Sequence, residues 1–337
     1  MEKKITIHDI ARLLELSPST ISRALSNNPR ISLKTRERVK ALASEQGYQQ
    51  NSMAISLRKG SSMTLGVIVP RINRNFFSQI IGSLEAELNE AGYNLIICQS
   101  QEVYDKELSS IQTLVNMRVN SIFISLSTGS ASTSHLKAMI EKGTRFFMFD
   151  RIDESLPLPS VRINDYKGAL ETVNHLLEQG YQRIYHFAGP DHLSVYHDRK
   201  EGYLDALAAA GIKAEPNWII PDTLTKEKGS KALYEIMKQN TKPDAVFAAS
   251  DFSALGAHLA ARELKVSLPG ELGIAGFGNE LFTGFLTPGL TTTNQKPEEM
   301  GKSMALAYLQ GKTTGSIIIE PELIIRGSTL RKPEHGA

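Results

Sequence analysis

The run Ser17-Pro18-Ser19-Thr20-Ile21-Ser22-Arg23-Ala24-Leu25 carries four hydroxyls and one guanidinium within nine residues. Small hydroxyls suit phosphate oxygens, and an arginine can bond a guanine edge with two parallel donors. That chemistry needs a helix slim enough for a DNA major groove. Ser17 is a helix-capping type, and Pro18 suits the first helical position because its missing N–H would be unpaired there anyway. The spacing predicts a helix over 18–25 that turns Ile21 and Leu25 inward and Ser19, Thr20, Ser22 and Arg23 outward.

Two further helices are predicted around it. Thr6 and Asp9 stand at capping-box-like spacing, and Ile7, Ile10, Ala11 and Leu14 form an i, i+3, i+4, i+7 face. Asn27-Asn28-Pro29 signals a turn, and Ser32 then caps a third helix with Val39, Leu42 and Ala43 inward. Capping alone is the rival role for the hydroxyls at 17 and 32. Residues 1–60 hold 11 Lys/Arg and 5 Asp/Glu, a net charge of +6 that polyanion binding would use. The remainder carries a net charge of −4. A merely solvated basic face would give the same count.

Residues 49–62 are polar and end in Gly-Ser-Ser, a linker by composition, with a possible short helix capped by Asn51 that puts Ala54 and Leu57 on one face. Beyond it, short β-branched runs at 65–69, 95–98, 121–125, 145–149, 184–188, 245–249 and 272–275 alternate with amphipathic stretches such as 77–91, 106–117 and 166–178. Alternating strands and helices imply parallel sheets covered by helices, with ligands beyond the carboxyl ends of the strands. A chain of 337 residues has room for two such sheets. Cys98 is the single cysteine, so no internal disulfide can form, and it reads as a small core residue. No apolar stretch is long enough for a membrane span, and the N-terminus does not resemble a signal peptide, so a cytoplasmic protein is expected.

These residues resemble the LacI-type bacterial transcription regulators over nearly the whole chain. The head matches at Ile5 through Ala11, Leu16 through Leu25, Ile31-Ser32, Thr35-Arg36 and Val39; the linker matches at Gly47-Tyr48, Asn51, Ala54 and Leu57. Leu65 to Pro70, Asn75-Phe76-Phe77, Phe149-Asp150-Arg151, Arg199, Ser250-Asp251, Gly276-Phe277, Leu290-Thr291-Thr292, Gln295 and Arg326-Gly327-Ser328 follow in family order. The resemblance implies an α/β protein: a small all-α helix-turn-helix head (1–48), a hinge (49–62), a two-lobed core shaped like a periplasmic sugar-binding protein (63–330) and a tail (331–337). The lobes would comprise 63–162 with 292–322, and 163–290 with 323–330, and the chain would cross between them near 161–164, 289–295 and 320–326.

The same resemblance implies a homodimer on pseudo-palindromic operator DNA, nucleoid-associated when bound, with no cofactor, metal or membrane partner. Pro18, Ser19 and Arg23 take the base-reading positions. Thr6, Ser17, Thr20, Ser22, Ser32 and Thr35 complete the DNA-facing set of the head. Asn51, Ala54 and Leu57 belong to the hinge, where family members insert the leucine into the minor groove; Gln50 replaces the usual proline. Phe76, Phe77, Asp150, Arg199, Ser250, Asp251, Asn279 and Gln295 fall at effector-facing positions. Core packing is the rival for the phenylalanines. A structural ion pair is the rival for Asp150 and Arg199, with Arg151 the obvious partner of Asp150. Gly278 stands where the family usually has aspartate, and Ser250 where it often has asparagine. The lost carboxylate, beside Arg199, makes a sugar acid a candidate effector alongside a neutral sugar.

Two other classes fit less well. Gly276-Phe277-Gly278 begins a dinucleotide fingerprint, but its third glycine position is Leu281, and no phosphate loop, nucleophile elbow or metal-spaced His/Cys set is present, so an enzyme is not expected. A transport-type sugar-binding protein would share the core but not the basic head.

Overall fold

The computed structural model describes residues 5–48, 62–130 and 132–331. The chain divides into two compact units at Ser62–Met63. The hinge residues Asn51, Ala54 and Leu57 lie outside the described residues.

The head consists of α1 (Ile7–Leu14), α2 (Pro18–Leu25) and α3 (Leu33–Glu45). Thr6 and Asp9 close a reciprocal capping box on α1, satisfying two amides that the helix leaves unpaired. Ser17 and Ser32 cap α2 and α3, each hydroxyl accepting from the backbone N–H three residues on, at 3.2 Å. The buried core comprises Ile10, Ala11, Leu14, Ile21, Ala24 and Val39, edged by half-buried Leu16, Leu25, Leu42 and Tyr48. So few buried side chains give modest stability.

The second unit holds two six-stranded sheets. The first is built from β1 (Thr64–Val69), β2 (Asn94–Gln99), β3 (Ile122–Ile124), β4 (Phe146–Phe149), β5 (Ser160–Ile163) and β11 (Ser316–Ile319), in the order β11-β5-β4-β3-β1-β2, all parallel. The second uses β6 (Ile184–Phe187), β7 (Ile219–Ile220), β8 (Ala245–Ala248), β9 (Gly273–Phe277), β10 (Thr291–Asn294) and β12 (Glu322–Ile324), in the order β12-β10-β9-β8-β6-β7. Only the β10–β12 pair in that sheet is antiparallel. The first lobe carries α4 (Asn75–Glu90), α5 (Tyr104–Asn116), α6 (Ser134–Glu141) and α11 (Pro297–Leu309). The second carries α7 (Asp165–Glu178), α8 (Ser194–Ala209), α9 (Lys226–Ile236) and α10 (Asp251–Glu263).

The strands fix the crossings. The chain leaves the first sheet after Ile163, returns after Asn294 and leaves again after Ile319. All three boundaries therefore shift from the sequence expectation. Residues 292–294 belong to the second lobe, because β10 pairs Thr292 with Gly276 and with Ile324. Ile163 belongs to the first, paired with Ile319. Glu322, too, belongs to the second lobe, paired with Asn294.

β10 has no apolar run, and its threonines are buried by bonding rather than by greasiness. Thr291 donates to the Arg326 carbonyl at 2.9 Å, Thr292 to Asp251 at 2.6 Å, and Thr293 shares a 2.7 Å contact with the Thr172 hydroxyl. Trp218 is a packing residue, stacked on Tyr185 with ring centres 5.6 Å apart. Cys98 is half-buried beside the first lobe's core.

His186 lies in the middle of β6, fully buried between the rings of Tyr203 and Phe247. Burial holds its pKa down to about 4. As pH falls below the ordinary histidine range, the unfolded chain takes the proton first, so this group lowers stability progressively between about pH 6.5 and pH 4. A displacement of this size amounts to about 3 kcal/mol. Urea unfolding of the full chain at pH 7 and pH 4.5 should show His186→Phe losing less stability on acidification than the parent. Equal losses would refute this account.

Candidate functional site

A cavity of about 280 Å³ opens between the two lobes. Its walls include the carboxyl ends of β1, β4, β8 and β9, where a doubly wound sheet presents its loops. The segment after β1 brings Arg71, Arg74, Phe76 and Phe77, and the end of β4 brings Asp150 and Arg151. β8 leads into Ala249, Ser250, Asp251 and Phe252, and β9 into Phe277, Gly278 and Glu280. Gln295 enters from the second crossing.

Seven of the eight residues expected to face an effector line this cavity: Phe76, Phe77, Asp150, Arg199, Ser250, Asp251 and Gln295. Asn279 does not. Its Oδ1 accepts from Arg326 at 3.0 Å, and its side chain lines a different hollow, beside Lys296 and Glu322. The positive φ of Asn279 (49°), directly after Gly278, accompanies that placement.

The cavity residues divide by how much bonding capacity remains. Arg199 is largely engaged. Its Nε and Nη2 reach Asp165 at 2.8 and 2.7 Å, Nη1 donates to the Ala249 carbonyl at 2.7 Å, and the guanidinium lies 3.8 Å from the Phe277 ring centre. Burial pushes the Asp165 carboxyl upward against the pull of Arg199. The ion pair is thus with Asp165, not Asp150. Arg151 is engaged as well, donating to Glu102 at 2.8 Å and to the Tyr196 hydroxyl at 3.1 Å. It stands only at 3.9 Å from Asp150.

Asp251 is buried at the start of α10. Thr292 donates to one oxygen at 2.6 Å and the Glu280 backbone N–H to the other at 2.8 Å. Burial raises its carboxyl to about 7. The glycines beside it make room: a Cβ on Gly276 would stand 2.2 Å from an Asp251 oxygen, and one on Gly278 would stand 3.3 Å from the other at a φ of +136°. Gly278 therefore leaves space for a carboxylate that arrives from α10. Ser250 caps α10, its hydroxyl accepting from the Phe252 N–H at 3.3 Å.

Asp150 retains capacity. Ser125 donates to one of its oxygens at 3.1 Å, and the other has no hydrogen-bond partner among the described residues. It is buried, and burial raises its carboxyl. Its φ of +57° is a left-handed conformation that costs a non-glycine residue energy. The Gln295 amide is likewise buried against the cavity without a protein partner among the described residues. Phe76 and Phe77 pack edge-on at 5.1 Å and belong to the core while also lining the cavity. Sequence reasoning missed Arg71, Arg74, Glu102, Tyr196, Phe252 and Glu280, which carry no local pattern.

In the head, Ser19 and Arg23 are exposed on α2, while Pro18, Thr20 and Ser22 are half-buried. The Ser17 hydroxyl contacts those of Ser19 and Thr20, each at 2.8 Å. Thr35 pairs similarly with Ser32 at 2.8 Å.

Two family models match. One, describing periplasmic binding proteins and the sugar-binding domain of the LacI family, covers residues 62–326; the other, bacterial regulatory proteins of the lacI family, covers residues 6–51. The chain belongs to the LacI family. It is a transcription regulator and not an enzyme. Its sequence is 35% identical to the HTH-type transcriptional repressor CytR of Escherichia coli (strain K12), over 98% of each chain. Its fold is similar to that of the lac repressor dimer bound to operator and the anti-inducer ONPF, with a TM-score of 0.86, 23% identity, and coverage of 98% of this chain and 100% of that one. The transcriptional regulator CelR in complex with cellobiose is also similar, with a TM-score of 0.72, 25% identity and coverage of 96% and 99%. Among the described residues of this LacI-family regulator, no helix is long and apolar enough to cross a membrane.

Arg199→Ala leaves Asp165 as an unpaired buried charge, which typically costs about 3–5 kcal/mol. Urea unfolding should show a loss of that order. A loss under about 1 kcal/mol would mean that the pair does not support the lobe.

Proposed function

We propose that this regulator is a homodimeric cytoplasmic repressor whose operator affinity is set by a neutral, hydroxyl-rich effector held in the inter-lobe cavity. The observation that supports it most is the division of charge there. The two buried cations of the lining, Arg199 and Arg151, are matched by Asp165 and Glu102, whereas the buried Asp150 and Gln295 keep bonding capacity. A carboxylate oxygen accepts and an amide both donates and accepts, a set that suits sugar hydroxyls. Aromatic faces at Phe76 and Phe77 suit the apolar face of a sugar ring. The sugar-acid alternative drew on Arg199, and Asp165 now answers that charge.

The head supplies the DNA side. Arg23 is exposed and basic, which suits a reader of a base edge, while Ser19 adds a hydroxyl on the same helix. Thr6, Ser17, Thr20, Ser22, Ser32 and Thr35 fix register through phosphates, and Thr6, Ser17 and Ser32 also cap their helices. Asn51, Ala54 and Leu57 complete the interface by family resemblance, with Leu57 as the minor-groove wedge. A carbohydrate effector agrees with the cellobiose-bound relative. Effector and operator then change each other's affinity by one common factor.

A thermal-shift screen of the full chain against neutral mono- and disaccharides, their uronates and nucleobases tests the ligand class. Neutral sugars should raise the unfolding midpoint, and Asp150→Asn should abolish the rise while leaving the unliganded midpoint near its parent value. A rise with uronates alone would overturn the reading. Arg23→Ala should cost roughly 1–3 kcal/mol of operator affinity in gel retardation and relax preference at one base pair of each half-site. Unchanged base preference would exclude Arg23 as a reader.

A further inference from the structure

The two lobes are joined across the cavity by contacts of two different kinds. One kind is polar and directional. The segment 190–198 of the second lobe meets the first through His192 Nε2 and the Thr128 carbonyl at 3.1 Å, Arg151 and the Tyr196 hydroxyl at 3.1 Å, and Arg162 and Asp198 at 3.0 Å. Parting Arg151 from Tyr196 would strand buried polar groups, which is costly.

The other kind centres on a guanidinium on a ring. Arg74 is the residue that precedes α4 in the first lobe, and its side chain makes no capping hydrogen bond. Its guanidinium carbon lies 3.4 Å from the centre of the Phe252 ring, in the first turn of α10 in the second lobe. Phe252 is backed edge-on by Phe282, with ring centres 5.2 Å apart. Glu280 adds the opposite charge beside Arg74, its carboxylate accepts from the Asn75 backbone N–H of the first lobe, and its own backbone N–H is tied to Asp251. All three residues, Arg74, Phe252 and Glu280, line the cavity and are half-buried. A guanidinium leaving a ring face is rehydrated at once, so this contact parts without stranding a buried donor.

We propose that the Arg74–Phe252 contact is a clasp that sets how far the two lobes stand open in the effector-free regulator. Arg74 is thus a positioning residue for the effector response. The polar contacts at 190–198 hold while the clasp parts, and the three crossings serve as the axis. An effector entering between the lobes shifts the balance by its preference for one opening over the other. This rests on the reading of the cavity as the effector site.

The test measures lobe separation directly, with no effector added. Spin labels are placed at Lys106→Cys in the first lobe and Lys231→Cys in the second, both exposed positions, on a Cys98→Ser background. Labelled chains are diluted with unlabelled protein so that distances within one chain dominate. Double electron–electron resonance on the full chain should give a longer and broader distance distribution for Arg74→Ala and for Phe252→Ala than for the parent. Arg74→Lys keeps the charge but not the flat stacking face, and should fall between. A distribution unchanged in both alanine variants would overturn the proposal. Should one alanine variant fail to fold, the other together with Arg74→Lys decides. A cavity that takes no sugar in the thermal-shift screen would sink the effector reading while leaving the distance result intact.

Discussion

The buried pair of Arg199 and Asp165 is the constraint on which the cavity depends. Asp165 is the first residue of α7, directly after the first crossing, and Arg199 stands in α8. One guanidinium therefore locks two helices together, holds the Ala249 carbonyl at the end of β8 and stacks on Phe277 at the end of β9. An ion pair this deep is not a strong source of net stability, because desolvation offsets most of the attraction. What it supplies is placement. Four elements of the second lobe arrive at the cavity in a fixed relation, and Asp150 faces them from the first.

Much of the fold was legible because its central strands are apolar runs between amphipathic helices. β1, β3, β4, β6, β8 and β9 all read this way. β10 did not, since Thr291-Thr292-Thr293-Asn294 looks like a polar loop until its hydroxyl partners are seen. Those partners come from α7, α10 and the segment after β12, distant in sequence, so no local window contains them. The lobe boundary shifted for the same reason.

The candidate site was legible where a residue type meets a strand end, as at Phe76-Phe77 and Asp150. Its bonding was not. Arg199 could be seen as a cavity residue, but its partner, Asp165, is 34 positions away, and Arg151, the expected partner of Asp150, donates to Glu102 and stands 3.9 Å from Asp150. Asn279 was expected to face the effector, yet the backbone turn after Gly278 carries it to Arg326. The wall does keep a carboxylate, contributed by Asp251 through the space two glycines leave.

The three crossings also order events during synthesis. The first sheet needs β11 at 316–319, and the second needs β12 at 322–324. The segment at 328–329 is stitched in as well: Ser328 donates to the Ile274 carbonyl at 2.6 Å, and Thr329 meets His175 at 2.8 Å. Neither lobe can finish its sheet on the ribosome until residues 316–324 have emerged. The head, built from residues near the N-terminus, is free to fold long before. A nascent regulator thus passes through a stage with a formed reader and an unfinished control unit, during which edges of β5 and β10 stand unpaired.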